Sequence, residues 1–315
     1  MVTLLDRFAR DEWNIGVVHQ SVADIVRRGI QEPVTWFPYN SWRILADPFC
    51  LTNADGSITV YAELLNHWLG KGEIVSATIA SGDDLCKAAL KRCVVGPAHL
   101  SYPNYVQDGT THYAIMESFE AGGLFLWRRD GATWHYVKTL LTRPAIDATI
   151  YRDVDRWWLF CTFADDGPDE RLHLFYADSL LGEWTPHPMN PIKNDRANAR
   201  PAGALFVVDG QLIRPAQDSS VTYGGRLILN HVRTLTADVF DEVPYRIIVP
   251  QSKYYKDGIH TITAAGQYTI IDGKRWHRGL SNLPCRVSAK LFKIYRRCTA
   301  GNFVAKMRFY PVSQT

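Results

Sequence analysis

The feature that most constrains this chain is a weak internal repeat. Five short polar motifs open successive units: Ala46-Asp47-Pro48-Phe49, Ser101-Tyr102-Pro103-Asn104, Ala145-Ile146-Asp147-Ala148, Ala199-Arg200-Pro201-Ala202-Gly203 and Gly258-Ile259-His260-Thr261. With Asp47, Tyr102, Asp147, Arg200 and His260 as markers, the spacings are 55, 45, 53 and 60 residues. Each opening leads through a turn or short loop into an aromatic or β-branched strand and then an outer strand. Four-stranded propeller blades repeat at roughly 40–50 residues, more with insertions. Five openings therefore predict an all-β protein, a five-bladed β-propeller filling residues 1–315 as one domain. A single four-stranded sheet cannot bury both faces, whereas radial stacking buries them and leaves only short edges. It also brings the starts of the innermost strands to one axis.

The strand runs are Ser57–Leu64, His112–Met116, Trp157–Phe163, Leu172–Tyr176 and Tyr268–Ile271. Turn dipeptides separate them: Asp55-Gly56, Asp108-Gly109, Asp130-Gly131, Asp209-Gly210, Gly224-Gly225 and Asp272-Gly273. Short helices are expected over Val22–Arg28 and Asp84–Arg92. No strand–helix alternation points to a parallel nucleotide-binding sheet. To close the ring, Asn14–Gln20 is expected to add a strand to the last blade near Val287–Tyr295, with Ser281–Thr315 as that blade's outer strands.

Charge and composition exclude some classes. A net charge of +3 with scattered basic residues argues against nucleic acid. No stretch is long and apolar enough to insert in a bilayer, and the start of the chain lacks the apolar run of a secretory signal. The six cysteines, Cys50, Cys86, Cys93, Cys161, Cys285 and Cys298, include no Cys-x-x-Cys pair. They read as reduced thiols of a cytoplasmic protein, without zinc. No metal and no cofactor are expected. Ten tryptophans suit either sugar stacking or sheet packing.

The convergent polar residues are the candidate site. Asp47, which Pro48 is expected to hold extended, is a candidate base or nucleophile. Glu63 and Glu117 end the second strands of the first two units as inward acids, and Asp147 opens the third unit among apolar neighbours, needing a partner. Glycosidic cleavage generally needs one carboxyl group to protonate the leaving oxygen and another as base or nucleophile. The expected catalytic set is Asp47, Glu117 and Asp147, with Asp147 tuning ionisation. Expected substrate-binding residues are Glu63, His99, Tyr102, His187, Arg200, Arg214, Gln217, Tyr223 and His260. The two arginines suit a carboxylate, a phosphate or sugar hydroxyls, or internal pairing with Asp47 or Asp147.

The motifs WNIG, ADPF, HLSYP, MES, HPMNP, ARPAG, RPAQD followed by YG, and GIHTI ending at IIDG resemble the N-terminal propeller domain of plant glucosamine inositolphosphorylceramide transferases and its bacterial relatives. The resemblance runs from Trp13 to about Asp272. In the plant proteins the glycosyltransferase fold is a separate C-terminal domain, which is not expected within these 315 residues; the bacterial context implies a sugar ligand. More distantly the chain resembles the furanosidase superfamily, including glycoside hydrolase family 43. That resemblance implies a base or nucleophile at Asp47 and a pKa-modulating aspartate at Asp147. It departs at the general acid, usually a glutamate from a later blade: the fourth unit opens with Ala199-Arg200 instead, so Glu117 or Glu63 has taken that role or the site is not a standard hydrolase. The leading expectation is an enzyme cleaving or transferring a glycosyl group. The alternative is a non-catalytic sugar or nucleotide-sugar binding module that assists a partner glycosyltransferase in polysaccharide biosynthesis. A third reading has Arg200 and Arg214 holding the diphosphate of a donor.

Overall fold

Period-two alternation decides the packing of each blade. In Trp157–Phe163, which is buried along its whole length, Trp157, Leu159 and Cys161 pack with Tyr113, Ile115 and Leu126 of the preceding unit. The alternate residues Trp158 and Phe160 pack with Val232 and Phe240 of the following one. Successive side chains on a strand point to opposite faces, so a strand apolar at every position must lie between two sheets. Repeated around the molecule, this gives five radial sheets. The computed structural model describes residues 8–38, 42–53, 55–79, 88–131, 133–299 and 303–310, with side chains left aside at 297–299.

Each sheet is antiparallel and runs from the axis outward. Blade one is Arg43–Thr52, Ile58–Asn66, Lys71–Ile79 and Lys91–Val95. Blade two is Ser101–Asp108, Thr111–Glu117, Leu124–Asp130 and Thr133–Leu141. Blade three is Ala145–Arg152, Trp157–Phe163, Arg171–Ala177 and Thr185–Pro186; blade four is Phe206–Val208, Gln211–Asp218, Arg226–Leu235 and Phe240–Ile248. Blade five is Ile262–Ala265 and Tyr268–Arg278, completed by Ala9–Val18 and Val34–Trp36 from the other end of the chain. The five-bladed propeller is thus the fold, and an N-terminal strand closes its last blade.

The closing partner differs from the expectation. Ala9–Val18 pairs with Tyr268–Arg278, Ile15 lying opposite Asp272, while Val287–Tyr295 lies within a helix, Leu283–Thr299. Leu283, Val287, Leu291 and Ile294 recur at helical spacing, which strand pairing cannot satisfy. Beyond the helix, Arg308–Phe309 returns to pair with Lys91–Val95, a fifth strand on blade one. The tail therefore serves blade one, not the last blade. The expected helix at Val22–Arg28 is present, capped by the Ser21 side chain on the Asp24 amide. Of the expected Asp84–Arg92 helix, residues 84–87 lie outside the described residues, and Lys91 and Arg92 are strand.

The innermost strands share one irregularity. Register shifts fall between Ala46 and Phe49, between Ser101 and Asn104, and between Ile146 and Thr149. Within them Asp47, Tyr102 and Asp147 have positive φ, at 53°, 43° and 47°. Asp47 is thus left-handed, not extended: the kink overrides the preference that Pro48 imposes. Such conformations cost on the order of 1–3 kcal/mol each and persist where the surroundings enforce them. Here the kink turns a polar residue toward the axis from each of three blades.

Candidate functional site

The five openings meet at the axis. Asp47 of blade one, 5% exposed, is held by blades two and five. Its Oδ2 accepts the Tyr102 amide at 3.3 Å and its Oδ1 accepts Thr261 Oγ1 at 3.1 Å. His260 Nε2 stands 3.4 Å from Oδ1. Behind them, Asp272 is fully buried on Tyr268–Arg278 and accepts the amides of His260 (2.8 Å), Thr261 (3.0 Å) and Asp47 (3.3 Å). It also lies 2.5 Å from His260 Nδ1, off the line of that N–H. Burial pushes the Asp47 carboxyl up to about 6; the Asp147 and Asp272 charges add to this and His260 opposes it. Burial pulls His260 down, but the carboxylates of Asp272 and Asp47 outweigh it, so its pKa is raised.

Across the axis, Asp147 Oδ2 accepts Arg200 Nε at 2.6 Å and Gln217 Nε2 at 2.7 Å. Its amide donates to Glu117 Oε2 at 2.8 Å. Burial and the Asp147 charge lift Glu117 well above the ordinary carboxylate range, against the pull of Arg200. Arg200 is further tied to Asp169 (3.1 Å), and its Nη2 donates to the Tyr223 hydroxyl at 3.4 Å with the guanidinium over that ring. Tyr223 is 37% exposed, the ring at the mouth of an otherwise buried cluster.

The remaining expected residues divide. Glu63, paired with Ala46 on the adjoining strand, has Oε1 3.3 Å from His99 Nε2 and buried without a hydrogen bond. Burial lifts its pKa strongly, with Asp47, Glu117 and Asp147 adding. His99 Nδ1 accepts the Gly72 amide at 3.1 Å, which places any ring proton on Nε2, toward Glu63. Burial pulls His99 down to about 4. Tyr102 is fully buried and structural in its bonding: its hydroxyl accepts the Gly203 amide at 2.6 Å and meets Thr149 Oγ1 at 2.9 Å, lacing blades two, three and four. A side chain at Gly203 would sit 2.1 Å from the Ile262 carbonyl, so this crossing requires glycine.

Two residues do not join the site. Arg214, 1% exposed, makes a two-pronged pair with Glu242 at 2.6 and 2.8 Å and donates to the carbonyls of Asn198 and Ala199. Arg214 and Gln217 are three apart on one strand and so face opposite sides; with Gln217 on the axis, Arg214 cannot be. His187 donates from Nε2 to Thr236 O at 3.0 Å and accepts the Met189 amide, tying the outer strands of blades three and four far from the openings. The two-arginine diphosphate site therefore does not form.

Sequence reasoning missed Asp272, Thr261, Trp13 and Lys274. Asp272-Gly273 reads as a turn dipeptide but lies mid-strand. The Trp13 ring stacks on His260 at 4.0 Å between centroids. Lys274 is buried beside Trp13, donates to Thr222 Oγ1 and the Tyr223 carbonyl, and is pulled down to about 8 by burial. Ligand atoms of Asp47, His260 and Asp272 lie within 4.8 Å of one another, a set able to hold a cation if His260 gives up its proton.

The profile of the N-terminal domain of glucosamine inositolphosphorylceramide transferase 1 matches residues 34–264. The chain belongs to this family. Relatives of that name from Oryza sativa subsp. japonica and Arabidopsis thaliana are 31% identical over 194 residues and 33% identical over 152, covering 56% and 46% of this chain. The chain spans only 26% and 20% of those relatives' lengths. Among solved structures it is similar to an α-L-arabinofuranosidase from Podospora anserina (TM-score 0.56, 10% identity, covering 76% of this chain and 94% of that one). It is also similar to a family 117 glycoside hydrolase from Zobellia galactanivorans (TM-score 0.53, 12% identity, 76% and 87%). At such identities the likeness concerns the fold.

Proposed function

We propose that the axial pocket cleaves or transfers a glycosyl group, with Asp47 as base or nucleophile and Glu117 as acid. One observation carries this reading: the axis holds two carboxyl groups whose surroundings set them apart. Asp47, facing an imidazole and two donors, is held near 6 and is ionised at neutral pH. Glu117, buried beside the Asp147 charge, is lifted well above the ordinary carboxylate range, which favours its protonated form. Carboxyl groups in such different surroundings fit acid and base roles. Asp147, whose Oδ2 is held by Arg200 and Gln217, serves as the paired carboxylate whose charge tunes the ionisation of Glu117. Tyr223 offers a ring for a sugar face. The names of the relatives and the glycosidase folds of the structural neighbours support a carbohydrate substrate.

A second reading is a sugar or nucleotide-sugar binding module serving a partner glycosyltransferase. It is favoured by Arg200, which fills the blade-four opening with a guanidinium already paired to Asp147 and Asp169. Asp47→Asn and Glu117→Gln separate the two. Against a glycoside panel, the enzyme reading expects each to lower kcat/KM by roughly 10²–10⁴-fold with binding retained. Saccharide binding without turnover in the unmodified chain supports the module instead. A cytoplasmic setting is part of the proposal, supported by the unpaired thiols of Cys50, Cys93, Cys161 and Cys285.

A further inference from the structure

The helix Leu283–Thr299 is anchored on one side and exposed on the other. Arg296 is buried beneath it, donating to the carbonyls of Leu69 (2.7 Å) and Gly70 (2.8 Å). At its start, buried Asn282 donates to Phe8 O and His277 O, and Cys285 is buried. On the opposite side Leu283, Val287, Leu291, Ile294 and Tyr295 form one stripe, each 47–64% exposed. Their spacing of four, four, three and one residues keeps them on one face. Beside that stripe, at positions 286, 290 and 293, stand Arg286, Lys290 and Lys293.

Two further observations indicate what covers this face. First, after Asp272 the chain holds ten lysines and arginines and no aspartate or glutamate, whereas the preceding residues hold 25 basic against 32 acidic. The helix itself therefore carries one sign of charge beside its apolar stripe, in a molecule otherwise net negative. Second, the turn beneath the helix exposes Trp68 and Leu69, with Trp68 against Trp42. The helix also has a defined place. It rests on the turn after Ile58–Asn66, whose Asn66 pairs with Arg43 at the start of the blade-one inner strand. It reaches Glu120, just beyond Glu117, and the Arg278 end of Tyr268–Arg278. These all lie at the end of the propeller where the inner strands begin, the end that carries Asp47 and Glu117.

We propose that this helix, with Trp68 and Leu69, seats the protein on an anionic membrane surface and turns the axial opening toward it. An amphipathic helix with apolar side chains on one face and Lys/Arg beside them lies in the headgroup region, drawn by buried apolar area and by anionic lipid. Tryptophan favours the same depth. Peripheral adsorption of this kind needs no spanning segment, and no helix among the described residues is long and apolar enough to span. That the pocket thereby meets substrate presented from the bilayer rests on the glycosyl reading above; the adsorption itself does not.

Co-sedimentation of the full chain with vesicles tests this. It is expected to bind phosphatidylcholine vesicles containing phosphatidylglycerol and to stay in solution with phosphatidylcholine alone. High salt releases it, because exposed charges are screened beyond about 3 Å at 1 M. Leu291→Asp weakens partitioning by about tenfold or more through lost apolar burial, and Lys290→Glu or Lys293→Glu by roughly fivefold or more each. These are exposed positions, so unchanged urea midpoints show the variants folded. Asp47→Asn partitions as the unmodified chain does, which keeps the outcome separate from the catalytic reading. Binding that is absent, indifferent to anionic lipid, or unchanged in the helix variants overturns the proposal. So does a dimer that Leu291→Asp dissociates, which would assign the face to a second copy.

Discussion

Replacing Asp47 by asparagine should change how stability varies with pH, in a direction fixed by its surroundings. An aspartate has an ordinary pKa of 3.8; burial raises Asp47 to about 6 in the folded protein. The folded chain then holds this proton more tightly than the unfolded chain. The stabilising contribution is therefore fully present below 3.8 and is lost as pH rises through about 6. A gap of about two pH units between the folded and unfolded chains corresponds to about 3 kcal/mol, at about 1.4 kcal/mol per unit. Asparagine cannot titrate, and the hydrogen bonds it forfeits with the Tyr102 amide or Thr261 hydroxyl cost nearly the same at every pH. Subtracting the wild-type unfolding free energy from that of Asp47→Asn cancels the titrating groups remote from Asp47, leaving its own titration and the changes it imposes on His260 and Glu63. The difference should rise by about 3 kcal/mol between about pH 3 and pH 7. Urea unfolding followed by tryptophan fluorescence measures it at each pH. A flat difference, or one that falls as pH rises, refutes the claim that Asp47 carries its charge against the cost of burial.

Other substitutions separate scaffold from site. Arg214→Met removes the two-pronged partner of the buried Glu242 carboxylate and leaves it Lys193 alone, which should destabilise by about 1.5–3 kcal/mol, while Arg214→Met with Glu242→Met should recover part of that loss; urea midpoints decide it, and saccharide binding should not change. Tyr102→Phe leaves the buried Gly203 amide without its acceptor and should cost about 1–3 kcal/mol in urea unfolding. Gly203→Ala forces a methyl group against the Ile262 carbonyl and should lower the thermal midpoint more than the Tyr102 change does.

The repeat made the propeller legible, because three of the five openings share a backbone kink occupied by a residue with a polar group. Asp47, Tyr102 and Asp147 all stand at that kink, so their spacing carried real geometric information. The sequence was less informative where one signal has two physical meanings. Asp272-Gly273 has the composition of a turn, yet the aspartate satisfies three amides from inside a strand. Leu283 to Tyr295 is apolar enough for an outer strand, but its period is helical and its face is left exposed. Arg214 shares a motif with Gln217 and is separated from it by strand parity alone. His187 belongs to a loop between outer strands, which the marker spacing does not locate.

The most direct test is a crystal structure of Asp47→Asn soaked with a panel of saccharides and nucleotide sugars. The account predicts a sugar ring against Tyr223, with its glycosidic oxygen beside Glu117 and its anomeric carbon facing the amide that replaces the Asp47 carboxylate, the two side chains roughly 5–10 Å apart. A saccharide bound away from the axis, or held at the axis with neither side chain near the anomeric carbon, would contradict it.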